Sequence, residues 1–567
     1  MLRTHNCGEL RKEDAGKSVT LCGWLASIRD YGNFIFLNLR DRYGITQIVV
    51  EDKNLMEKAR KLGLEYVLKI KGKVRERPKG MINPNLPTGE IEVVAEEIEI
   101  LSECKMTPFV VRDDVKVRDD IRMKYRYLDL RRPKHQYPVI FKSKVMKIIR
   151  DFLADKDFLE IETPLLAKST PEGARDFLVP SRLNPGKFYA LAQSPQLYKQ
   201  ILMVAGFDKY YQIAKCLRDE DLRADRQPEF LQLDIEMSFC DEEDIFNLIE
   251  EMMEKLFKEC LNFEIETPFK RLTYKEAIEK YGSDKPDTRF NLFLEDITEI
   301  AKKSDLKIFK DAEKVIMLRW DGELSRKEID ELLKIAEKPV AWIKYKDGEK
   351  SGPIAKHFDI TSLNPQSPSV FFFCANKWGK AHTPLGLIRR ELVKKLKTDK
   401  KFEFVWITDF PLFEWNEDEG RWQPCHHIFT MPKVENIEKI DFSSPDKIIA
   451  KQYDLVLNGV ELGSGSIRIH HRDLQEKVMQ VLGMTKEEIE RNFGFLLTAL
   501  EYGAPPHGGI ALGIDRLCVL MLGLQTIQDT IPFPKTARGQ GLMEEIPSEV
   551  LEEQLKELGI KIENAES

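Results

Sequence analysis

Between residues 19 and 101, apolar and polar positions alternate in VTLCGWLASI, FIFLNLRD and GITQIVVED. They lapse into a helical stretch, NLMEKARKLG, and alternate again in YVLKIKGKVRER and GEIEVVAEEIEIL. A period of two puts successive side chains on opposite faces of a strand, so the pattern predicts three strands, a helix and two further strands. That is the order of a small OB-fold barrel, whose exposed strand face often holds single-stranded nucleic acid. Arg29, Tyr31, Phe34, Phe36 and Gln47 bring cationic, aromatic and amide groups suited to stacking on unpaired bases and reading their edges. Aromatics at period two are also ordinary core residues, and an inward Phe34 and Phe36 is the blander reading of this segment alone.

Residues 106–136 are dense in charge, poor in periodic apolar residues and include Pro133, which predicts a hinge. The basic run RMKYRYLDLRR, with Tyr125 and Tyr127 interleaved, reads equally as a contact to a phosphate backbone or as a solvated linker. From Phe141 the period becomes helical: Phe141, Val145, Ile148, Ile149, Phe152 and Leu153 form one stripe. Extended FLEIETPLL follows, with Pro164 where a helix could not continue, then the loop KSTPEGARDF. In LQLDIEMSF, Leu231, Leu233, Ile235 and Met237 alternate with Gln232, Asp234 and Glu236. An amide and two carboxylates thus share one strand face, beside the arginine-rich CLRDEDLRADRQPEF. Such a face suits a cation or a polyphosphate complex. Residues 285–402 read as an inserted α/β domain with no cluster that yields chemistry. The pattern resumes at FEFVWITDFPLFEW and runs to GGIALGIDRL, where Gly508, Gly509 and Gly513 precede a helical run that opens with Asp515 and Arg516. Glycines allow close backbone approach, and a helix start carrying an Arg favours an anion. Neither the GxxxxGK[ST] loop nor the GxGxxG spacing occurs in that stretch.

Composition narrows the class. At about 100–200 residues per domain, 567 residues make several domains, and 42% hydrophobic with 32% charged residues excludes a disordered chain. The net charge of −7 does not advertise nucleic-acid binding, but it averages over domains. Nine scattered cysteines without C-x-x-C spacing read as reduced thiols, and the polar MLRTHNCGEL with no long apolar run predicts a cytoplasmic protein without a membrane partner.

Three stretches in order resemble the signature motifs of class II aminoacyl-tRNA synthetases. The helix and strand ending at Pro164 resemble motif 1, Arg218, Asp219 and Glu220 lie in a motif 2-like stretch, and GGIALGIDRL with Arg516 resembles motif 3. QSPQLYKQ and CLRDEDLRADRQPEF narrow the resemblance to aspartyl-tRNA synthetases, and the large insertion between motifs 2 and 3 to the bacterial type, where it is called the GAD domain. The resemblance covers nearly the whole chain. It implies an α+β multidomain fold: an OB-fold anticodon domain (1–105), a hinge (106–136), a class II antiparallel sheet with flanking helices in two parts (137–284 and 403–567), and the insertion (285–402).

The resemblance also implies a two-step reaction, in which aspartate attacks the α-phosphate of ATP, and the adenylate is then attacked by a terminal ribose hydroxyl of tRNA. It implies catalytic Arg218 on the α-phosphate and Arg516 on the γ-phosphate. Asp219, Glu220, Gln227 and the segment Gly513, Ile514, Asp515 and Arg516 would hold ATP. Glu461, with Asp454 as the weaker candidate, would hold Mg²⁺. For aspartate it implies Lys199 and Arg468 at the side-chain carboxylate, and His426 closing the pocket. Asp234 would take the α-ammonium with Ser194 and Gln196, and Glu172 would lie in a closing loop. An amide would leave buried cations unpaired, which costs several kcal/mol on the scale of about 1.5–3 kcal/mol per charge-assisted hydrogen bond. His427 reads equally as structural.

Phe36 matches an anticodon-stacking position, flanked by Arg29 and Gln47. At Tyr31, enzymes specific for tRNA-Asp commonly have Leu, and relaxed ones that also charge tRNA-Asn commonly have His. Tyr fits neither, and NPNLPTGE tilts the reading to the relaxed form, which would need an amidotransferase partner. The resemblance implies a homodimer. The rivals are asparaginyl- or lysyl-tRNA synthetase, an ammonia ligase acting on aspartyl-adenylate, and a catalytically silent RNA-binding relative.

Overall fold

The computed structural model describes residues 1–170, 174–223 and 225–563. They divide into two compact units, Met1–Tyr137 with Gly541–Ile546, and Pro138–Gln540 with the residues from Pro547 onward. In the first unit β1 (Ser18–Asp30), β2 (Ile35–Arg40), β3 (Ile45–Val50), β4 (Val67–Glu76) and β5 (Ile91–Ser102) close a barrel in the order β1-β2-β3-β5-β4. The helix Lys53–Ala59 sits between β3 and β4, opened by Asp52, whose carboxylate accepts from Leu55 N. Leu21, Leu25, Ile35, Leu37, Leu39, Ile48, Leu68 and Ile70 fill the interior. Phe34 and Phe36 are half-buried on the other face, so they are not the core residues that their period also allowed.

Residues 106–136 fold with the barrel unit and form the short helices Asp119–Lys124 and Arg126–Asp129 over a small core of Phe109, Val111 and Leu128. The basic run is turned inward. Arg126, Arg132 and Arg122 donate to the fully buried Asp129 at 2.7, 3.0 and 3.2 Å, so these guanidiniums serve an internal carboxylate. Arg131 pairs with Glu65 and lies over the ring of Trp24.

The second unit carries β6 (Leu159–Glu160), β7 (Leu166–Ala167), β8 (Leu178–Pro180), β9 (Phe188–Leu191), β10 (Lys209–Leu217), β11 (Glu229–Ser238) and β12 (Lys270–Thr273). It continues with β13 (Leu294–Asp296), β14 (Lys314–Asp321), β15 (Ala341–Lys346), β16 (Glu349–Ser351), β17 (Ser369–Asn376) and β18 (Phe404–Thr408). The last strands are β19 (Phe413–Asn416), β20 (Arg421–Pro424), β21 (Gln452–Leu457), β22 (Val460–Ile467) and β23 (His507–Gly513). Eight of them form the main sheet in the order β12-β18-β21-β22-β23-β11-β10-β6, antiparallel except for the edge pairs β12/β18 and β10/β6. Helices Pro133–Asp155 and Glu242–Leu261 bury their stripes against one face of it, with Phe141, Val145, Ile149, Ile245, Met252 and Phe257 in the core.

Strands β13 to β17 make a separate antiparallel sheet in the order β13-β14-β17-β15-β16, between Leu294 and Asn376. Its two faces are covered by distinct cores, one with Leu385 and Ile388 of the helix Thr383–Leu392, the other with Phe309 and Phe358. The nine cysteines are free thiols. Among the described residues no helix is long and apolar enough to cross a membrane.

Candidate active site

Strand β11 runs through the middle of the main sheet, with Leu233 and Ile235 packed into the core beneath it. Alternation therefore puts Gln232, Asp234 and Glu236 on the opposite face. Glu236 lies opposite Gly509 of β23, where a Cβ would stand 2.2 Å from Glu236 Oε2, so glycine is what leaves room for the carboxylate. Four charged side chains meet above this point: Lys199 from the helix Gln196–Val204, Asp234 and Glu236 from β11, and Arg468 beyond the end of β22. None is more than 1% exposed. Arg468 grips both oxygens of Glu236, at 2.9 and 3.1 Å. Lys199 Nζ lies 3.2 Å from Asp234 Oδ1 and 3.4 Å from Glu236 Oε2. Two cations and two carboxylates leave the floor neutral, which is how four buried charges are tolerated.

The donors are not exhausted. Of the five N–H groups of Arg468, four are taken by Glu236 (two), Ser466 Oγ at 2.7 Å and His427 Nε2 at 2.5 Å, which leaves one. Lys199 spends one of its three on Asp234 and faces Glu236 as an ion pair, so at least one is left. Because Arg468 can only donate, His427 Nε2 accepts from it, while His427 Nδ1 accepts from Phe429 N at 3.2 Å and lies near Thr430 Oγ. Burial lowers the His427 pKa well below the usual value, and the neighbouring His426, Arg468 and Lys199 push it the same way, so the ring is neutral. His426 is lowered to about 3 by burial and by the charges of Arg468, Lys199 and Arg218. Burial raises the Asp234 carboxyl against the pull of Lys199. At Glu236 burial also works upward, but Arg468 and Lys199 override it and hold the acid at about 2.

Several buried polar atoms here have no hydrogen-bond partner among the described residues: Asp234 Oδ2, Gln196 Nε2, His426 Nδ1 and Arg218 Nε. Such atoms are rare in folded proteins and costly to leave bare. Bare donors and acceptors around a floor of two cations and two carboxylates are what a site for a small molecule with both a cation and anions would require. Ser194 accepts from Gln196 N at 3.4 Å and so turns the start of the helix. Arg218, at the end of β10, lies over the Phe230 ring.

At the other end of the site Arg516 donates to the backbone oxygen of Glu461 at 2.8 Å. Asp454 and Glu461, on β21 and β22, interact, and burial together with Glu461 raises the Asp454 pKa. Ser464 Oγ donates to Asp454 at 2.5 Å, and Lys285 lies 3.2 Å from Glu461. No group of three or more His, Cys, Asp or Glu among the described residues is arranged for a metal. Two carboxylates, one buried and poorly neutralised, still suit Mg²⁺, which binds through one or two carboxylates plus waters and phosphate oxygens.

Several positions expected at the nucleotide are used inside the fold. Ile514 is core. Both oxygens of Asp515 are occupied, Oδ1 by Lys142 at 2.8 Å and Thr530 at 3.0 Å, and Oδ2 by Leu231 N at 2.9 Å. Gly513, just before them, has only loose contacts around a would-be Cβ. The Gln227 amide pairs with both backbone groups of Lys535, at 2.8 and 3.1 Å, and so ties the arginine-rich loop to the 535 segment. Glu220 is ion-paired with Arg226, and Asp219 N bonds to Arg175 O. Glu172 lies outside the described residues. The sequence named Glu236 without a role and missed Ser466 and Lys285; strand alternation could have promoted Glu236, but no local signal marks the other two.

On the barrel, cross-strand pairing brings Arg29 opposite Phe36, and Ser27, Asn38 and Gln47 into one row. Tyr31 is 59% exposed and stacks on Phe34, with ring centroids 5.4 Å apart, and meets the edge of Phe36. Gln47 donates to Glu92. The result is an exposed aromatic step with a guanidinium beside it.

The family model described as tRNA synthetases class II (D, K and N) matches residues 118–537, and that of the OB-fold nucleic acid binding domain matches 19–101. Proteins named aspartate-tRNA(Asp/Asn) ligase from Persephonella marina and Aquifex aeolicus are 49% and 50% identical to the chain. Each alignment spans 99% of this chain, and 97% and 98% of theirs. Asparaginyl-tRNA synthetase of Pyrococcus horikoshii, solved with asparaginyl-adenylate, shares the fold with a TM-score of 0.62 at 21% identity, over 94% of this chain and 99% of that one. With the first of these matches running from the short helices after the barrel through β23 and Arg516, the chain belongs to the class II tRNA synthetases of the D, K and N group.

Proposed function

We propose that this chain is an aspartate-tRNA ligase, which joins aspartate to ATP as aspartyl-adenylate with release of pyrophosphate and then transfers the aspartyl group to the 3′ end of tRNA. The observation that carries the reading is the neutral four-charge floor with one free N–H each on Lys199 and Arg468 and a bare oxygen on Asp234. A side-chain carboxylate has one oxygen for each free N–H, and the α-ammonium fits Asp234 Oδ2, with Gln196 and Ser194 at the same helix start. Asparagine offers one oxygen and one N–H pair to those two donors. It loses one charge-assisted hydrogen bond, about 1.5–3 kcal/mol, or about ten- to a hundredfold in binding. Neutral His426 and His427 add no competing charge, and His426 Nδ1 remains for the substrate.

Adenylate formation needs in-line placement and charge neutralisation rather than a protein nucleophile. Arg218, with its unpartnered Nε, is assigned to the α-phosphate and Arg516 to the far end of the triphosphate. Asp219 and Glu220 line the nucleotide side. Glu461 and Asp454 would hold Mg²⁺, which supplies charge neutralisation on the phosphates when bound. On the barrel Phe36 stacks on an anticodon base, with Arg29, Tyr31 and Gln47 around it.

The relatives' naming for both tRNA-Asp and tRNA-Asn supports the relaxed form, with an amidotransferase converting aspartyl- to asparaginyl-tRNA. The proposal includes a cytoplasmic homodimer. The test is aspartylation of tRNA-Asp and tRNA-Asn transcripts side by side, with aspartate, asparagine and lysine each offered. Aspartate on both tRNAs is expected. Aspartate on tRNA-Asp alone would overturn the relaxed form, and none on either would overturn the whole reading.

A further inference from the structure

Lys285 belongs to the segment that leaves the helix Tyr274–Tyr281 and leads into the inserted sheet. Its Nζ lies 2.6 Å from Asp284 Oδ2 and 3.2 Å from Glu461 Oε2, and Asp454 also acts on it. Its side chain is 39% exposed, so it is not locked in the core. The backbone beneath it is fixed. Gly282 and Gly386 touch so closely that a Cβ on Gly386 would stand 2.1 Å from Gly282 O. Arg389, buried in the helix Thr383–Leu392, donates to the carbonyls of Leu292, Asp287 and Phe290 at 2.5, 2.9 and 3.0 Å. On the other side Gly459, in the turn between β21 and β22, packs on Asp287. The insertion therefore presents the Lys285 ammonium, on a rigid strap, to the carboxylates proposed for the metal.

The geometry points to Lys285 as a placeholder cation: it pairs with Glu461, with Asp454 in reach of its charge, in the metal-free enzyme, and would yield them to Mg²⁺ as ATP arrives. A single ammonium neutralises only part of this charge, whereas a dication held by Glu461 and Asp454 would neutralise more of it and would have room for phosphate oxygens. Exchange is favoured only when the triphosphate adds its own negative charge, so the free enzyme binds metal weakly. Asp284 keeps the displaced ammonium tethered beside the site. Lys285 is a positioning residue in this account, and the inference rests on the metal reading of Glu461 and Asp454.

The test is titration of full-length enzyme with Mn²⁺, without ATP, followed by the electron paramagnetic resonance of the free ion. Lys285→Met should bind Mn²⁺ about tenfold more tightly than the parent, a conservative figure for removing one competing unit charge at a half-exposed site. Lys285→Arg should stay at the parent's affinity. Lys285→Gln, which removes the charge but keeps a polar side chain, carries the test if the Met variant does not fold. Equal affinity in parent and Lys285→Gln or Lys285→Met would overturn the placeholder role. A gain that survives Glu461→Gln in the Lys285→Met background would instead overturn the metal reading.

Discussion

Replacing Arg468 by Met removes the group that holds both oxygens of Glu236 and leaves that carboxylate with Lys199 alone, 3.4 Å away and shared with Asp234. Losing one member of a buried pair costs about 3–5 kcal/mol, because the survivor stays desolvated without its partner. Glu236→Gln leaves two buried cations against Asp234 and costs a similar amount for the opposite reason. In the double variant only Lys199 and Asp234 remain charged, and the floor is neutral again. The two substitutions should therefore couple by about 3 kcal/mol, the upper end for residues in direct contact. The assay is scanning calorimetry at pH 7.5, where His426 and His427 are neutral. A unit of this size shifts its midpoint by about 1 °C per kcal/mol. Each single variant should thus fall by about 3–5 °C, and the double by about 3 °C less than the sum of the two. A double variant lower by the sum, about 6–10 °C, would refute the idea that the pair acts as one electrostatic unit.

Phe36→Ala should weaken tRNA binding by about 1–3 kcal/mol, the value of one base stacked on an aromatic ring, while aspartate-dependent ATP/pyrophosphate exchange stays at the parent rate; filter binding and exchange assays on the same preparation separate the two. The buried histidines set an acid limit. His470 is lowered to about 4 and His426 to about 3, each chiefly by burial. Below pH 6.5 the unfolded chain takes up protons that the folded one refuses. Stability is therefore full above pH 6.5 and is lost as pH falls toward 4, by about 1.4 kcal/mol per pH unit for each such histidine. Denaturant melts from pH 7 to 5 should show a shallower loss in His470→Gln than in the parent, and equal slopes would show that His470 is not held neutral.

The barrel was legible because Ile35, Leu37 and Leu39 alternate with Phe36 and Asn38, and a period of two has one physical meaning. The floor of the site was half legible. Alternation on β11 put Asp234 and Glu236 together, but their partners Lys199 and Arg468 come from distant segments, which only the resemblance to a known family brought in. Adjacency left the side-chain directions open at Gly513 to Arg516. In the first helical turn successive side chains point about 100° apart, so Ile514 and Asp515 turn inward while Arg516 faces the site, and a motif read as a string cannot say which. Charge runs misled in the same way. Arg122, Arg126 and Arg132 looked solvated because the buried Asp129 that gathers them is an ordinary residue in sequence. Asp284 and Lys285 look like a surface pair, and nothing local reveals that Glu461 and Asp454 stand opposite.

The strand that carries Asp234 and Glu236 has neighbours made at very different times. Its partner on one side, β10, precedes it immediately, but on the other side Asp234 lies opposite Ala511 and Glu236 opposite Gly509. During synthesis β11 must wait with an open edge while the whole inserted sheet is made and folds, and Glu236 waits for Arg468. Long-range closures of this kind are slow, and an open edge invites wrong pairing. Two carboxylates on that edge repel a second copy of the same strand, so the charges that later hold a substrate also keep the half-made sheet from joining another.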